Sequence, residues 1–221
     1  MGLMQRRERR PQTLVSETTR AQQLVRVTAN VVGAAGAAYF AAITLQVFLE
    51  THRLLGAGFF LEQMIVVVVY LLRRPALEVT RRSRDWVLAF GGTFVPVLLR
   101  PDGVHPPLGV KLGIALQVVG LAICIWSFLV LGRSFGFAAA DRGLVRVGPY
   151  GVVRHPIYGA YLLLQGGYVL QSVSLRNAVV FLVASGCNVG RSMVEDELLA
   201  RNPAHAAYRA KVRWRMIPGV W

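Results

Sequence analysis

Charge is scarce in this chain. Only 16% of its 221 residues are charged, and 54% are apolar; soluble domains carry roughly 25% charge. Apolar residues gathered into long runs exclude an ordinary soluble domain and indicate a membrane protein. Acids and lysines are scarcest of all. Eleven acids and two lysines stand against 23 arginines, a net charge of +14. Such a balance raises nucleic-acid binding, but the arginines fall between the apolar runs, which suits loops facing anionic lipid. A nucleic-acid partner is therefore not expected. Cysteine is limited to Cys124 and Cys187, both inside apolar runs. With no CxxC and no zinc spacing, no metal site is expected, and both read as small buried apolar residues. There is no internal repeat and no low-complexity tract to divide the chain.

What remains is a series of apolar runs. Residues 1–26 form an Arg-rich segment with a weak amphipathic pattern through Leu14, Ala21 and Val25. The first run, Val27–Leu49, is too long for a signal-peptide core. Its Gly33, Ala37 and Ala41 make a small-residue face for close helix contact. A second span is expected over Leu54–Leu72, with Glu62 and Gln63 inside it. The third, Trp86–Leu99, is short for a crossing and should kink at Pro96. The fourth covers Leu108–Leu131. A fifth and sixth, Ile157–Val173 and Asn177–Gly190, read as a hairpin joined by Ser174-Leu175-Arg176 and interrupted by Gly166-Gly167 and Ser185-Gly186. The expected class is an all-α polytopic bundle of five to six membrane helices, the last two a hairpin. Its expected parts are residues 1–26, the membrane helices of 27–131, and a site-bearing region over 132–221. That region ends in a cytoplasmic helical segment, Arg191–Arg213, with Trp214 and Trp221 docking at the interface.

With the N-terminus inside, the segments 1–26, 73–85, 132–156 and 190–221 hold 21 Lys and Arg, and the outer loops hold four. The positive-inside rule then predicts a cytoplasmic N-terminus and puts the polar motifs on the cytoplasmic side.

Those motifs flank the hairpin. The first is Gly148-Pro149-Tyr150, then Arg154-His155-Pro156, then Tyr158. The second is Arg191 followed by Glu195-Asp196-Glu197. Taken singly, each has an ordinary reading. Gly148-Pro149 is a turn, Pro156 a first helical residue, Arg154 an inside charge, and the three acids a helix N-terminus favoured by the dipole. Arg191 and Glu195 are four apart and share a face, where they can pair. Glu62 is a separate matter. An intramembrane acid marks function by default, and pairing with Arg53 or Gln63 is the plain alternative.

Together the motifs resemble the isoprenylcysteine carboxyl methyltransferase family, and more loosely the phospholipid N-methyltransferases. The resemblance lies in Leu144-Val145, Tyr150, Arg154-His155-Pro156-x-Tyr158, Arg191-x-x-x-Glu195-Asp196, Tyr208 and Ile217-Pro218, and covers about residues 130–221. It departs at Gly159-Ala160, at Asp196 in place of Glu, and at His205 in place of an aromatic. It implies S-adenosylmethionine as cofactor. Gly143, Leu144, Val145, Tyr150, His155, Pro156, Ile157, Tyr158 and Glu195 would bind it, and Arg191 would hold the substrate. Arg191 and His155 would be the catalytic residues. Glu195 suits an ammonium and ribose hydroxyls, Tyr150 and Ile157 suit adenine, and an Arg fork suits a carboxylate.

The implied activity is methyl transfer to a lipophilic or lipidated acceptor within membrane lipid, with an isoprenylcysteine-like carboxylate leading. Such an acceptor needs no base. An amine lipid or a small thiol would need one, for which His155 is the candidate. Two other classes stay open. One is a membrane reductase of the sterol-reductase kind, against which the lack of a GxGxxG element counts only weakly. The other is a non-catalytic scaffold.

Overall fold

Long apolar runs without interior charge become helices in a membrane, because every backbone N–H and C=O must be satisfied within the segment. The computed structural model describes residues 20–221 apart from 53, 77 and 81. Its helices are α1 (Arg20–Thr51), α2 (Leu54–Leu72), α3 (Ser83–Phe94), α4 (Pro107–Leu131), α5 (Pro156–Gln171), α6 (Leu175–Leu199) and α7 (Pro203–Lys211). Among the described residues four helical stretches are long and apolar enough to cross a membrane: Arg26–Glu50, Leu54–Leu72, Pro107–Ser134 and Leu175–Leu199. The all-α membrane bundle is as expected. Of the five to six membrane helices expected, these four meet the length and hydropathy of a crossing, and the shorter α3 and α5 pack among them. Most of the Arg-rich N-terminal segment, including Leu14, lies outside the described residues, as does Arg53.

The shorter helices have clear causes. α3 stops at Phe94, and Val95–Leu98 turns into a 3-10 helix around Pro96. Proline lacks the N–H that an α-helix needs and crowds the preceding turn. α5 has 16 residues, about 24 Å at 1.5 Å per residue, short of a ~30 Å hydrocarbon core.

The two interruptions expected in the hairpin are absent. Gly167 instead lets α5 lie directly on α4. A Cβ at Gly167 would come 2.6 Å from the Gly113 carbonyl oxygen. Glycine in a membrane helix serves close approach, because the neighbouring helix replaces the packing it lacks. α6 runs through Ser185-Gly186 and past Gly190 without a break, so the terminal segment expected to start at Arg191 starts after Leu199. The small-residue face of α1 does pack against α2: Ala37 and Ala41 are buried, and Gly33 is seated against the Tyr70 ring. Cys124 is fully buried, whereas Cys187 is only half-buried.

The connections gather at two opposite ends. At one, the Asn177 side chain bonds Arg100 N and O, and Val104 pairs with Val173. At the other, β1 (Glu78–Val79) pairs antiparallel with β2 (Ala140–Asp141), Arg74 N–H donates to Arg133 O, and Asn202 reaches Asp141. The partition matches the one drawn from charge: the segments 73–85, 132–156 and 199–221 share an end.

Candidate functional site

The loop between α4 and α5 is shaped by local chemistry. Gly143 has φ 101° and donates its N–H to Asp141 Oδ1 at 3.0 Å. Gly148, at φ 59°, opens the short 3-10 turn that buries Tyr150. A left-handed φ is readily adopted only by glycine. The loop then runs beside the C-terminal tail, with Arg154 N donating to Trp214 O at 3.0 Å and His155 N to Arg215 O at 2.7 Å. Gly159 permits this, since a Cβ there would sit 2.5 Å from the Met216 carbonyl oxygen.

The last two turns of α6 complete the site. Glu195-Asp196-Glu197 is not a helix start, as one ordinary reading had it. The acids lie at the C-terminal end of α6, where the dipole disfavours them, so other charges must hold them. Asp196 Oδ1 lies 2.9 Å from His155 Nε2. Its Oδ2 accepts from Arg154 at 3.1 Å and from Arg215 at 2.9 Å. Glu195 accepts the Tyr158 hydroxyl at 2.6 Å and faces His155 Nδ1 at 3.5 Å. Glu197 points outward, 3.5 Å from Arg82.

His155 thus has a carboxylate on each ring nitrogen. Burial alone would push its pKa down; the bonds to Asp196 and Glu195 outweigh it and push the imidazole up from its ordinary value. A doubly protonated ring has no lone pair, so the geometry does not suit it to the role of a base. Arg154 is more than an inside charge, because it also holds Val212 O and Arg213 O at 2.8 Å. Arg215 is covered in turn by the Trp221 ring, 4.2 Å from its guanidinium carbon. Trp221 and Trp214 therefore close the tail on itself and on the loop.

Arg191 is buried, 7% exposed. Its expected pairing with Glu195 gives way to other partners. It donates to Phe137 O at 2.5 Å and Thr93 Oγ1 at 3.4 Å, and stacks over the Tyr158 ring at 5.0 Å. Its Nε has no partner.

These groups open on one cavity of about 1370 Å³. Of the residues expected at the site, Gly143, Leu144, Val145, Tyr150, His155, Ile157, Tyr158, Arg191 and Glu195 all line it. Pro156 does not; it is the buried first residue of α5. Two further residues were not foreseen at the cavity. Arg142 lines it with a buried NH1 that has no partner, and burial beside Arg73 pushes its pKa down to about 10. His205 lines it too, and its Nε2, 3.9 Å from Asp141 Oδ1, makes no hydrogen bond. Burial pushes this imidazole down, and Asp141 at 3.9 Å only partly opposes that. The spacing of arginines in the 132–156 loop was the available signal for Arg142, and the departure from an aromatic at 205 was the signal for His205. Among the described residues no group of three or more His, Cys, Asp and Glu is placed to hold a metal ion.

Residues 108–203 match the phospholipid methyltransferase family. The matched stretch runs from the start of α4 to the start of α7 and contains both polar motifs and the hairpin. It points to a membrane-bound methyltransferase and leaves open which acceptor is methylated. No curated protein is similar enough to be matched with the chain.

Proposed function

We propose that this chain is an integral membrane methyltransferase that uses S-adenosylmethionine and acts on a lipophilic acceptor. The observation that carries the reading is the cavity itself. At one end the loop, the end of α6 and the tail converge on Glu195, Tyr158 and His155, and from there apolar walls continue among the membrane helices. Its residues fit the cofactor. Glu195 offers a carboxylate to the ammonium or ribose hydroxyls, the buried free NH1 of Arg142 offers a donor to the carboxylate, and Tyr150 and Ile157 offer a wall to adenine. When bound, the cofactor supplies a sulfonium methyl, an electrophile that needs alignment more than activation.

The chain's own residues then do three things. Tyr158 orients the Glu195 carboxylate. His155, held charged between Glu195 and Asp196, fixes both in place and acts as a positioning residue. Arg191, with its free Nε, draws an anionic acceptor to the same end. That favours O-methylation of a carboxylate of the isoprenylcysteine kind, already ionised at neutral pH. The second reading, N-methylation of an amine lipid, is favoured by the family match. There a proton must leave the amine, and His205, not His155, is the neutral imidazole with an open nitrogen. The site end is assigned to the cytoplasm, where the cofactor is made available, on the charge partition between the two ends.

Calorimetric titration of S-adenosylmethionine into the purified protein tests the reading. Binding should be lost in Glu195→Ala and Tyr158→Ala, while Arg191→Ala should mainly weaken the acceptor. No binding at millimolar cofactor, or binding of a nicotinamide cofactor instead, overturns it.

A further inference from the structure

The cavity meets a second polar group that methyl transfer leaves unused. Glu62, mid-way along α2, is 4% exposed and lines the cavity. Its Oε2 accepts from Gln63 at 2.7 Å. Its Oε1 has only the Cys124 thiol, a weak donor at 3.9 Å. Among the described residues no cation pairs with it. Gln165 on α5 lines the same cavity and is 8% exposed, and its side-chain oxygen has no partner. One turn earlier on α5, Tyr161 lines the same cavity. Phe59, Val66 and Leu164 add apolar wall to the same cavity.

Two acceptor oxygens without adequate donors, inside an apolar cavity, cost free energy until a donor reaches them. Water is a poor long-term answer among membrane helices, and among the described residues no lysine or arginine pairs with Glu62. A ligand chain that enters between the helices and carries an N–H or O–H donor along its length supplies what such an oxygen lacks. We propose that Glu62 and Gln165 form a deep subsite that selects a ligand whose apolar chain bears a hydrogen-bond-donating group, an ammonium or a hydroxyl. The inference rests on the methyltransferase reading only in taking that ligand to be the methyl acceptor; the subsite itself does not require it. Such a subsite would set how far the chain enters, and so which atom reaches Arg191 and Glu195.

The test uses three probes of equal length, tetradecylamine, tetradecanol and tetradecane, titrated into the purified full chain in neutral detergent and read by native mass spectrometry. The unmodified protein should bind the amine at least tenfold more tightly than the alkane, with the alcohol between them, which separates the two sources of donor. Glu62→Gln should erase the amine's advantage over the alcohol. Gln165→Leu should weaken amine and alcohol several-fold and leave the alkane unchanged. If Glu62→Gln does not fold, Gln165→Leu decides alone. Equal binding of amine and alkane, or a preference untouched by the folded variants, overturns the proposal. Cofactor titration on the same samples keeps the two readings apart. Amine selectivity without S-adenosylmethionine binding leaves the subsite standing and removes the methyltransferase; the reverse removes the subsite alone.

Discussion

Asp196 and Glu62 are equally buried, each 4% exposed, and both line one cavity. Their surroundings differ completely. Asp196 is gripped by His155, Arg154 and Arg215, drawn from the loop before α5 and from the tail. Glu62 has a neighbouring amide and a distant thiol. A buried charge is tolerated when fixed opposite charges and hydrogen bonds replace its lost water. At the Asp196 end the protein provides the replacement itself, so the site is built before any ligand arrives. At the Glu62 end the replacement is left to a ligand. One end of the cavity is preorganised and the other is selective, and the same physical rule produces both.

The contrast breaks first at Asp196. Asp196→Ala leaves Arg154, His155 and Arg215 facing one another around a vacated carboxylate. Breaking a buried pair by removing one member costs about 3–5 kcal/mol, and here three groups each lose a carboxylate contact together. We expect a large fall in melting temperature and loss of S-adenosylmethionine binding, measured on the same detergent-purified sample. A variant that melts normally would show that the tail and loop are held by something else.

Gly159→Ala comes next. Its new Cβ meets a backbone carbonyl, Met216 O, and not a flexible side-chain tip. Overpacking of this kind costs about 1–3 kcal/mol. The tail must shift, and the bonds from Arg154 N and His155 N to Trp214 and Arg215 lengthen. Cofactor affinity should fall with stability, although residue 159 does not itself face the cavity. Unchanged affinity would separate the tail from the site.

The third effect is a pH dependence. Because the folded value of His155 is raised, its charged form stabilises the protein fully below its ordinary pKa of about 6.5, and that contribution disappears as pH rises through the higher folded value. Melting temperature should therefore fall from pH 6 upward through that window. His155→Gln should flatten the profile. A melting temperature that rises over the same interval would mean that the ring is neutral between its two acids.

Glu62→Gln should have the opposite sign to Asp196→Ala. The change removes a buried carboxyl that no cation among the described residues pairs with, and it leaves Gln63 a partner. The melting temperature should stay level or rise slightly, in thermal melts without added amphiphile. A clear fall would reveal a cation on Glu62 and weaken the subsite.

Much of this was legible along the chain. α2 has the expected bounds, and the first motif and the second do meet across the hairpin. The end of α6 was not legible. Hydropathy drops at Arg191, and the run looks finished at Gly190. The helix continues because Arg191 is bonded to Phe137 and Thr93, and Asp196 to residues 41 and 42 positions earlier and 19 later. A charge whose partners are that distant reads as surface in one dimension. Arg142 and His205 were missed for the same reason, since what marks them is a free nitrogen inside a cavity.

The three consecutive acids offer the finest version of the comparison. Glu195 faces the cavity, Asp196 holds the tail, and Glu197 turns to solvent, where its side chain is 69% exposed and its Arg82 partner 61%. Successive helical residues are turned about 100° from one another, so one short run serves three environments. An exposed pair with both side chains in water is worth about 0–1 kcal/mol. Glu197→Gln should therefore change neither melting temperature nor cofactor affinity measurably, by thermal melt and calorimetry. It keeps the helix and removes one charge at the same end of α6. If it weakens cofactor binding as Glu195→Ala does, then the effect of Glu195 comes from net negative charge near the cavity, and the specific contact from Tyr158 to Glu195 is not what holds the cofactor.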